Sequence, residues 1–443
     1  MARLFGTDGV RGLANKDLTA EFALQLGASA ARVLAGHSSG GRRRAVIGRD
    51  TRQSSAMLSH AMAAGLASAG IDVEHVNEIP TPGVAYLTCE QDYDLGVVIS
   101  ASHNPMQDNG IKFINGDGFK LDDAIEDEIE KALSTEWEHP IGEAVGRVAE
   151  NVLVSDRYYM DHLIRCGTPL HGLRIALDCA NGAASDVAPR VFQKLGADVV
   201  VINAAPDGKN INDNCGSTHP EQLQALTVAT HADFGFAFDG DADRCLAVDK
   251  NGVLVDGDQI MGMLAVTMKE EGRLKRNTLV LTVMSNLGLH LAMKDKGIKT
   301  VSTKVGDRYV LEEMLAKGYN LGGEQSGHII NLDHATTGDG TLTAVLVASQ
   351  IARHGQSLHE MVEFVKKLPQ SLVNVPNVDK TRVSELAKEV AEVESDLGQT
   401  GRVLLRASGT EPLVRVMVEA ETQEKSDAAA AYLAGVVKEK ISL

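Results

Sequence analysis

Aromatic side chains are scarce in this 443-residue chain: Phe, Trp and Tyr make up 4% of it, with a single Trp. A surface that stacks nucleobases needs more. Positive charge is also short, with 43 Lys and Arg against 60 Asp and Glu, so the net charge of −17 repels a phosphate backbone over the surface as a whole. Nucleic acid is therefore not an expected partner, and Arg42 to Arg44 read as a solvated lead-in to a strand. No apolar run approaches the ~20 residues that cross a bilayer, and no apolar stretch after "MARLFGTDGV" reads as a secretion signal. The expectation is a cytoplasmic protein with no membrane partner. The five cysteines, Cys89, Cys166, Cys179, Cys215 and Cys245, are odd in number and form no C-x-x-C pair, which argues against a disulfide framework and a zinc knuckle alike. Neither G-x-x-x-x-G-K-[ST] nor G-x-G-x-x-G occurs, so neither common nucleotide-binding loop is indicated.

What the chain does contain is a repeat. A β-rich run, a polar loop, an Ala- or Leu-rich helical stretch, a glycine and a second β-rich run recur three times, from "RAVIGRDTRQSS", from "LRIALDCANGAAS" and from "TLVLTVMSN". Gly70, Gly196 and Gly297 stand where each helix needs a left-handed C-terminal residue. Each copy then reaches a matching tripeptide, "DLG" at Asp94, "DFG" at Asp233 and "NLG" at Asn320, followed by a short strand and a polar loop: "SASHNP", "FDGDADR" and "GEQSGH". Alternating strands and helices predict an α/β fold with mainly parallel mixed sheets, whose ligands bind beyond the carboxyl ends of the strands, so the three loops are expected to converge. The expected domains are 1–154, 155–254 with Ser155 as a helix N-cap, 255–368, and a smaller α+β domain over 369–443. "LPQSLVNVPNVD" reads as the linker into the last of these.

The loops carry the chemistry. Ser102, ahead of His103, Asn104 and Pro105, either caps a helix or carries a phosphate favoured by the N–H groups of that helix start. Asp239, Asp241 and Asp243 alternate, so they form either a solvated acidic turn or a tight loop that turns three carboxylates toward one hard cation, the reading that the strand "FGFAF" ahead of them favours. An EF-hand is excluded, because Arg244 and Lys250 occupy the positions of its glycine and its bidentate glutamate. Three carboxylates and a phosphoserine of about −1.5 to −2 charge cannot share a site without a cation and basic neighbours such as Arg244 and Arg11. "RASGTEP", with Arg406, Ser408, Gly409 and Thr410, and Arg415 beyond it, is suited to an anion cradle, or is a plain turn between strands. Glu324 and Ser326 suit sugar hydroxyls or amines, and His328 is either structural or an acid–base group.

In this order, "FGTDGVRG", "ISASHNP", "FDGDADR", "GEQSGH" and "RASGTEP" make the whole chain resemble the α-D-phosphohexomutase superfamily. The resemblance implies four domains around a central cleft, with Mg²⁺ held by phosphorylated Ser102 and Asp239, Asp241 and Asp243. It implies Glu324 and Ser326 on the sugar, and Arg406, Ser408, Gly409, Thr410 and Arg415 on the distant phosphate. Lys112 is implied as general acid–base, supported by Arg11, His103 and His328; that role calls for a lowered lysine pKa. Asp307, where phosphomannomutases and phosphoglucomutases typically carry histidine, and the glutamine of "GEQSGH" point to an amino-sugar, with Arg244 and Lys304 also at the substrate. The implied reaction is an isomerisation of glucosamine 6-phosphate to glucosamine 1-phosphate through a 1,6-bisphosphate, with glucosamine or glucose 1,6-bisphosphate as activator, supplying UDP-N-acetylglucosamine synthesis. A phosphosugar is thus the expected partner, and oligomeric state is open, a homodimer included.

Overall fold

The computed structural model of the chain describes residues 3–6, 8–36, 42–151, 155–407 and 413–443. Its first sheet orders the strands Val10–Leu13, Asp108–Asn115, Leu95–Ile99, Arg44–Arg49, Asp72–Glu78 and Val148–Glu150. The second runs Leu254–Val255, Cys245–Asp249, Phe234–Phe238, Arg174–Asp178 and Asp198–Ile202; the third runs Lys299–Thr303, Thr278–Thr282, Leu321–Gly323 and Ile329–Asn331. In each, the strand after the recurrent tripeptide pairs in parallel with the first strand of its repeat and in antiparallel with the strand that follows it. The mixed sheets are as expected, and the three polar loops are the tips joining each such pair. Leu95–Ile99 and Phe234–Phe238 are buried throughout, which is why they read as continuous apolar runs.

The tripeptides have a physical job. The side chain of Asp94 accepts from the Arg44 N–H at 2.9 Å, that of Asp233 from the Arg174 N–H at 2.8 Å, and that of Asn320 from the Lys275 N–H at 2.9 Å. Each ties the start of the loop-bearing strand to its parallel neighbour or the turn leading into it, fixing register. The glycine two residues on lets a helix close in: a Cβ at Gly96 would lie 2.2 Å from Thr88 Oγ1, and one at Gly235 2.7 Å from Thr227 Oγ1. Gly70, Gly196 and Gly297 have φ of +93°, +94° and +65°, the left-handed conformation expected after their helices.

By contacts the chain forms two compact units, Met1–Val283 with Val301–Val362, and Met284–Thr300 with Glu363–Leu443. The second contains the three-stranded antiparallel sheet Gln370–Pro376, Leu413–Glu419 and Arg402–Ala407, and the helices Ala387–Leu397 and Gln423–Lys440. It also takes in the third repeat's helix Leu287–Asp295: buried Glu419 accepts from the Leu287 N–H at 2.9 Å and the Asn286 amide at 3.1 Å, and pairs with Arg402 at 2.9 Å. The expected linker is instead mostly an edge strand. Ser371 and Val375 are buried between exposed Gln370, Leu372, Asn374 and Pro376, and the proline ends the strand, where its missing N–H costs no ladder bond. A helix does begin at Ser155, as a π turn over Ser155–Tyr159 continued by Met160–Cys166. No helix among the described residues is long and apolar enough to cross a membrane.

Asn320 is fully buried and also donates to the Arg273 carbonyl at 2.9 Å, whereas Asp233 is exposed. Asn320→Ala is expected to cost about 2 kcal/mol and Asp233→Ala about 0.5–1 kcal/mol, read as midpoint shifts in urea unfolding.

Candidate active site

Ser102 lies in the turn between Leu95–Ile99 and Asp108–Asn115 with φ +51°, left-handed for a residue with a side chain. No helix starts there. Residues 102–104 and 106–107 are turn and bend, and the chain returns at once into a strand, so the expected helix start does not exist to favour a phosphate. The Ser102 hydroxyl, 1% exposed as a residue, donates to Asp239 Oδ2 at 2.5 Å, and His103 Nδ1 stands 3.3 Å from it.

Asp239, Asp241 and Asp243 follow Phe234–Phe238, with Ala242 at φ +55° turning the loop so that ligand oxygens of all three lie within 4.8 Å of one another. Asp239 also accepts from the Arg244 N–H at 3.2 Å, and Asp241 from the Thr81 hydroxyl at 2.6 Å. Burial, with Asp243 and Asp241 alongside, pushes the Asp239 carboxyl well above the usual range; burial and Asp241 raise Asp243 too. For Asp241 the push from burial is outweighed by the Lys112 ammonium and the Thr81 hydroxyl, which hold it at about 2. Asp241 Oδ1 and Asp243 Oδ1 are buried with no hydrogen-bond partner among the described residues. Orphaned carboxylate oxygens that repel one another fit a hard divalent cation, the expected Mg²⁺.

Lys112, 3% exposed, is 3.0 Å from Asp8 and 3.3 Å from Asp241, so its ion pairs are buried. Burial lowers its pKa, but Asp8, Asp241 and Asp243 outweigh burial and raise it; the lowering expected for a lysine base is reversed by acids whose proximity the sequence hides. His103 goes the other way: burial, Arg244 and Arg11 lower it to about 4, so the ring is neutral at pH 7. A cleft of about 460 Å³ is lined by Arg11, Ser102, His103, Asp243, Arg244, Glu324 and His328, among others, so loops of all three repeats do converge. His328 Nε2 is 3.9 Å from Asp243 and 3.8 Å from Asp307, and Nδ1 has no partner among the described residues. Glu324 accepts from the Gly306 N–H at 3.0 Å; Ser326 Oγ is buried and unpartnered among the described residues. Lys304 is not among the lining residues: it is exposed, its ammonium 5.7 Å from the Tyr309 ring centroid.

In the second unit, Arg406 and Arg415 are exposed cross-strand partners, which accounts for their nine-residue spacing. Ser408, Gly409 and Thr410 lie outside the described residues. Sequence reasoning missed Asp8, which bridges Lys112 and Lys120 at 3.0 Å each, and Lys120, which donates to Asp307 at 2.5 Å. Asp8 sits three residues before Arg11 and pairs with it, a local signal that was available.

Models of the phosphoglucomutase/phosphomannomutase domains match along the chain: α/β/α domain I over residues 2–139, domain II over 157–252, domain III over 256–368 and the C-terminal domain over 372–436. The chain belongs to that family. It is 57% identical over 454 residues to the phosphoglucosamine mutase of Bifidobacterium animalis subsp. lactis, covering 100% of both chains, which places it among the phosphoglucosamine mutases of the phosphohexomutase superfamily. The fold matches a phosphoglucomutase/phosphomannomutase family protein of Burkholderia thailandensis, with a TM-score of 0.82 at 23% identity over 99% of each chain. It also matches the N-acetylphosphoglucosamine mutase of Aspergillus fumigatus, with a TM-score of 0.63 at 20% identity over 92% of this chain and 85% of that one.

The triad's repulsion makes a direct prediction. Mg²⁺ at about a hundredfold excess over its Kd stabilises the protein by about 2.7 kcal/mol, read as a rise in Tm. Asp239→Asn has a higher metal-free Tm, because the cost of burying a third ionisable carboxyl beside two others is gone, and loses most of the Mg²⁺-dependent rise. Equal Mg²⁺ shifts in both proteins would contradict a cation at these carboxylates.

Proposed function

We infer that the protein interconverts glucosamine 6-phosphate and glucosamine 1-phosphate, with Ser102 as the phosphoryl carrier. The observation that carries this reading is the Ser102 hydroxyl 2.5 Å from the first of three clustered carboxylates, inside the cleft. It is supported by the whole-length identity to phosphoglucosamine mutases, and by the Aspergillus fumigatus relative described in complex with GlcNAc-6P and magnesium. A sugar hydroxyl attacks the phosphorus of phosphorylated Ser102; the new P–O bond forms as the Ser102 Oγ–P bond breaks. The sugar hydroxyl gives up a proton and Ser102 Oγ ends with one. The resulting 1,6-bisphosphate turns over in the cleft and returns its other phosphoryl group to Ser102.

Each residue has a part set by its surroundings. Asp239, Asp241 and Asp243 would hold Mg²⁺, which would supply charge neutralisation and polarise the phosphoryl group. Proton transfer falls to Lys112 and to the neutral His103 ring beside Ser102 Oγ. Arg11 and Arg244 face the phosphoryl oxygens from the cleft wall, and Glu324, Ser326 and His328 take the sugar hydroxyls. Arg406, Ser408, Gly409, Thr410 and Arg415 are assigned to the phosphate that is not reacting, and Lys304 is the outlying member of the substrate set. Asp307, kept anionic because Lys120 and His328 outweigh burial, faces the same cleft and suits an amino-sugar. A bisphosphate serves as activator by restoring lost phosphoserine, and the product feeds amino-sugar nucleotide synthesis in the cytoplasm. The four domains are proposed to divide at 154, 254 and 368.

Ser102→Ala is expected to lose the mass of one phosphoryl group and nearly all turnover, checked by intact mass and a coupled assay with trace bisphosphate. Full activity in that variant would end the phosphoserine mechanism. The wild type is expected to turn over glucosamine 6-phosphate faster than the glucose and mannose 6-phosphates; a reversed order would move the protein to another branch of the family.

A further inference from the structure

The turn carrying Ser102 is gripped from behind by two side chains that do not line the cleft. The Arg52 guanidinium donates to the Ser102 carbonyl at 3.1 Å and to the Asn104 carbonyl at 2.5 Å. The Asn212 amide donates to the same two carbonyls, at 2.9 Å and 3.1 Å. Arg52 comes from the first repeat, just ahead of the helix Gln53–Ser68, and Asn212 from the second, so both domains hold one pair of oxygens. We propose that Arg52 and Asn212 are positioning residues for phosphoryl transfer, a two-sided clamp that keeps the Ser102 turn in its left-handed conformation; this rests on Ser102 being the phosphoryl carrier.

The clamp's construction is expensive for a mere brace. Arg52 is 1% exposed, and a buried guanidinium costs several kcal/mol unless paired. Its partner Asp50 is buried as well, and is held by the Arg52 N–H at 3.0 Å and the Ser55 hydroxyl at 2.6 Å. Only a planar fork reaches one carboxylate and two carbonyls at once, which a lysine ammonium cannot reproduce. Asn212 is anchored by its own N–H to the Ala180 carbonyl at 2.9 Å, and its amide oxygen has no partner among the described residues, so its amide acts there as a donor. Simple bracing of the two repeats is already supplied nearby, by the Gln53 N–H on the Gly208 carbonyl at 2.9 Å and the Thr51 hydroxyl on the Asn181 carbonyl at 2.6 Å. What the clamp adds is direction. With both carbonyls drawn back, the Ser102 side chain is left facing Asp239, and a misplacement of about 1 Å at a transferring group costs about a hundredfold in rate.

The test uses the full-length phosphorylated protein with Mg²⁺. Asn212→Ala and Arg52→Lys are each expected to lower kcat about tenfold, with KM for glucosamine 6-phosphate changed less than about twofold and Ser102 phosphorylation intact by mass. Asn212→Asp, which keeps the shape but turns an acceptor toward the carbonyls, falls further than Asn212→Ala. The double variant loses less than the product of the single losses, because both act on the same oxygens. The clamp is overturned if kcat is unchanged in a phosphorylated Asn212→Ala, or if kcat and KM deteriorate together in step with Tm. Should Arg52→Lys not fold, Asn212→Ala and Asn212→Asp decide alone. An active wild type with no phosphate on Ser102 would instead overturn the reading of the site, and the clamp with it.

Discussion

Three carboxylates buried within a few ångströms of one another, with a serine hydroxyl donating to the first, cannot rest there as bare charge. Repulsion and lost hydration both oppose it, and the fold answers with cations built into the same wall. Lys112 is drawn against Asp241, Arg244 stands beside Asp243, and Asp8 gathers Lys112, Lys120 and Arg11 into one chain of ion pairs. The compensation is incomplete, since an oxygen each of Asp241 and Asp243 has no hydrogen-bond partner among the described residues and the Asp239 carboxyl is driven toward its neutral form. A divalent cation would complete it, and a phosphate on Ser102 would make that cation more necessary still.

The repeat explains how distant segments reach this wall. Each copy ends a parallel strand, makes a polar tip and returns antiparallel, so loops near residues 102, 240 and 325 arrive by the same construction. The tripeptide that precedes each strand fixes its register by one side-chain bond to the backbone near the start of its neighbour. A register slip of one residue would turn each loop's side chains to the other face of the sheet. Precision at the site is therefore inherited from hydrogen bonds at the far end of the strands.

Much of this was legible in the chain itself, for a physical reason. Ser102, the alternating aspartates and the arginines of the final hairpin are local patterns, and local patterns survive in sequence; Arg406 and Arg415 are nine apart because a hairpin makes them cross-strand partners. The helix cap proposed for Ser102 failed because Pro105 leads into a strand, a fate that propensity alone does not decide. Gln370–Pro376 reads as a linker because Pro369 and Pro376 bracket it and mask a period-two burial that its pairing with the neighbouring strand Leu413–Glu419 reveals. A lysine base calls for a lowered pKa, and the acids that raise that of Lys112, Asp8 and Asp241, are remote in the chain and near only in the fold. Arg52 and Asn212 carried no spacing signal at all, since their targets are backbone carbonyls.

The central claim is that one cation joins the phosphorylated serine to the three aspartates. Mn²⁺ substituted for Mg²⁺ in the phosphorylated, sugar-free protein tests it directly by electron–nuclear double resonance. The account predicts a hyperfine coupling to a single phosphorus nucleus at direct-coordination strength. Bound Mn²⁺ with no phosphorus coupling, while mass spectrometry shows the phosphate in place on Ser102, would contradict it.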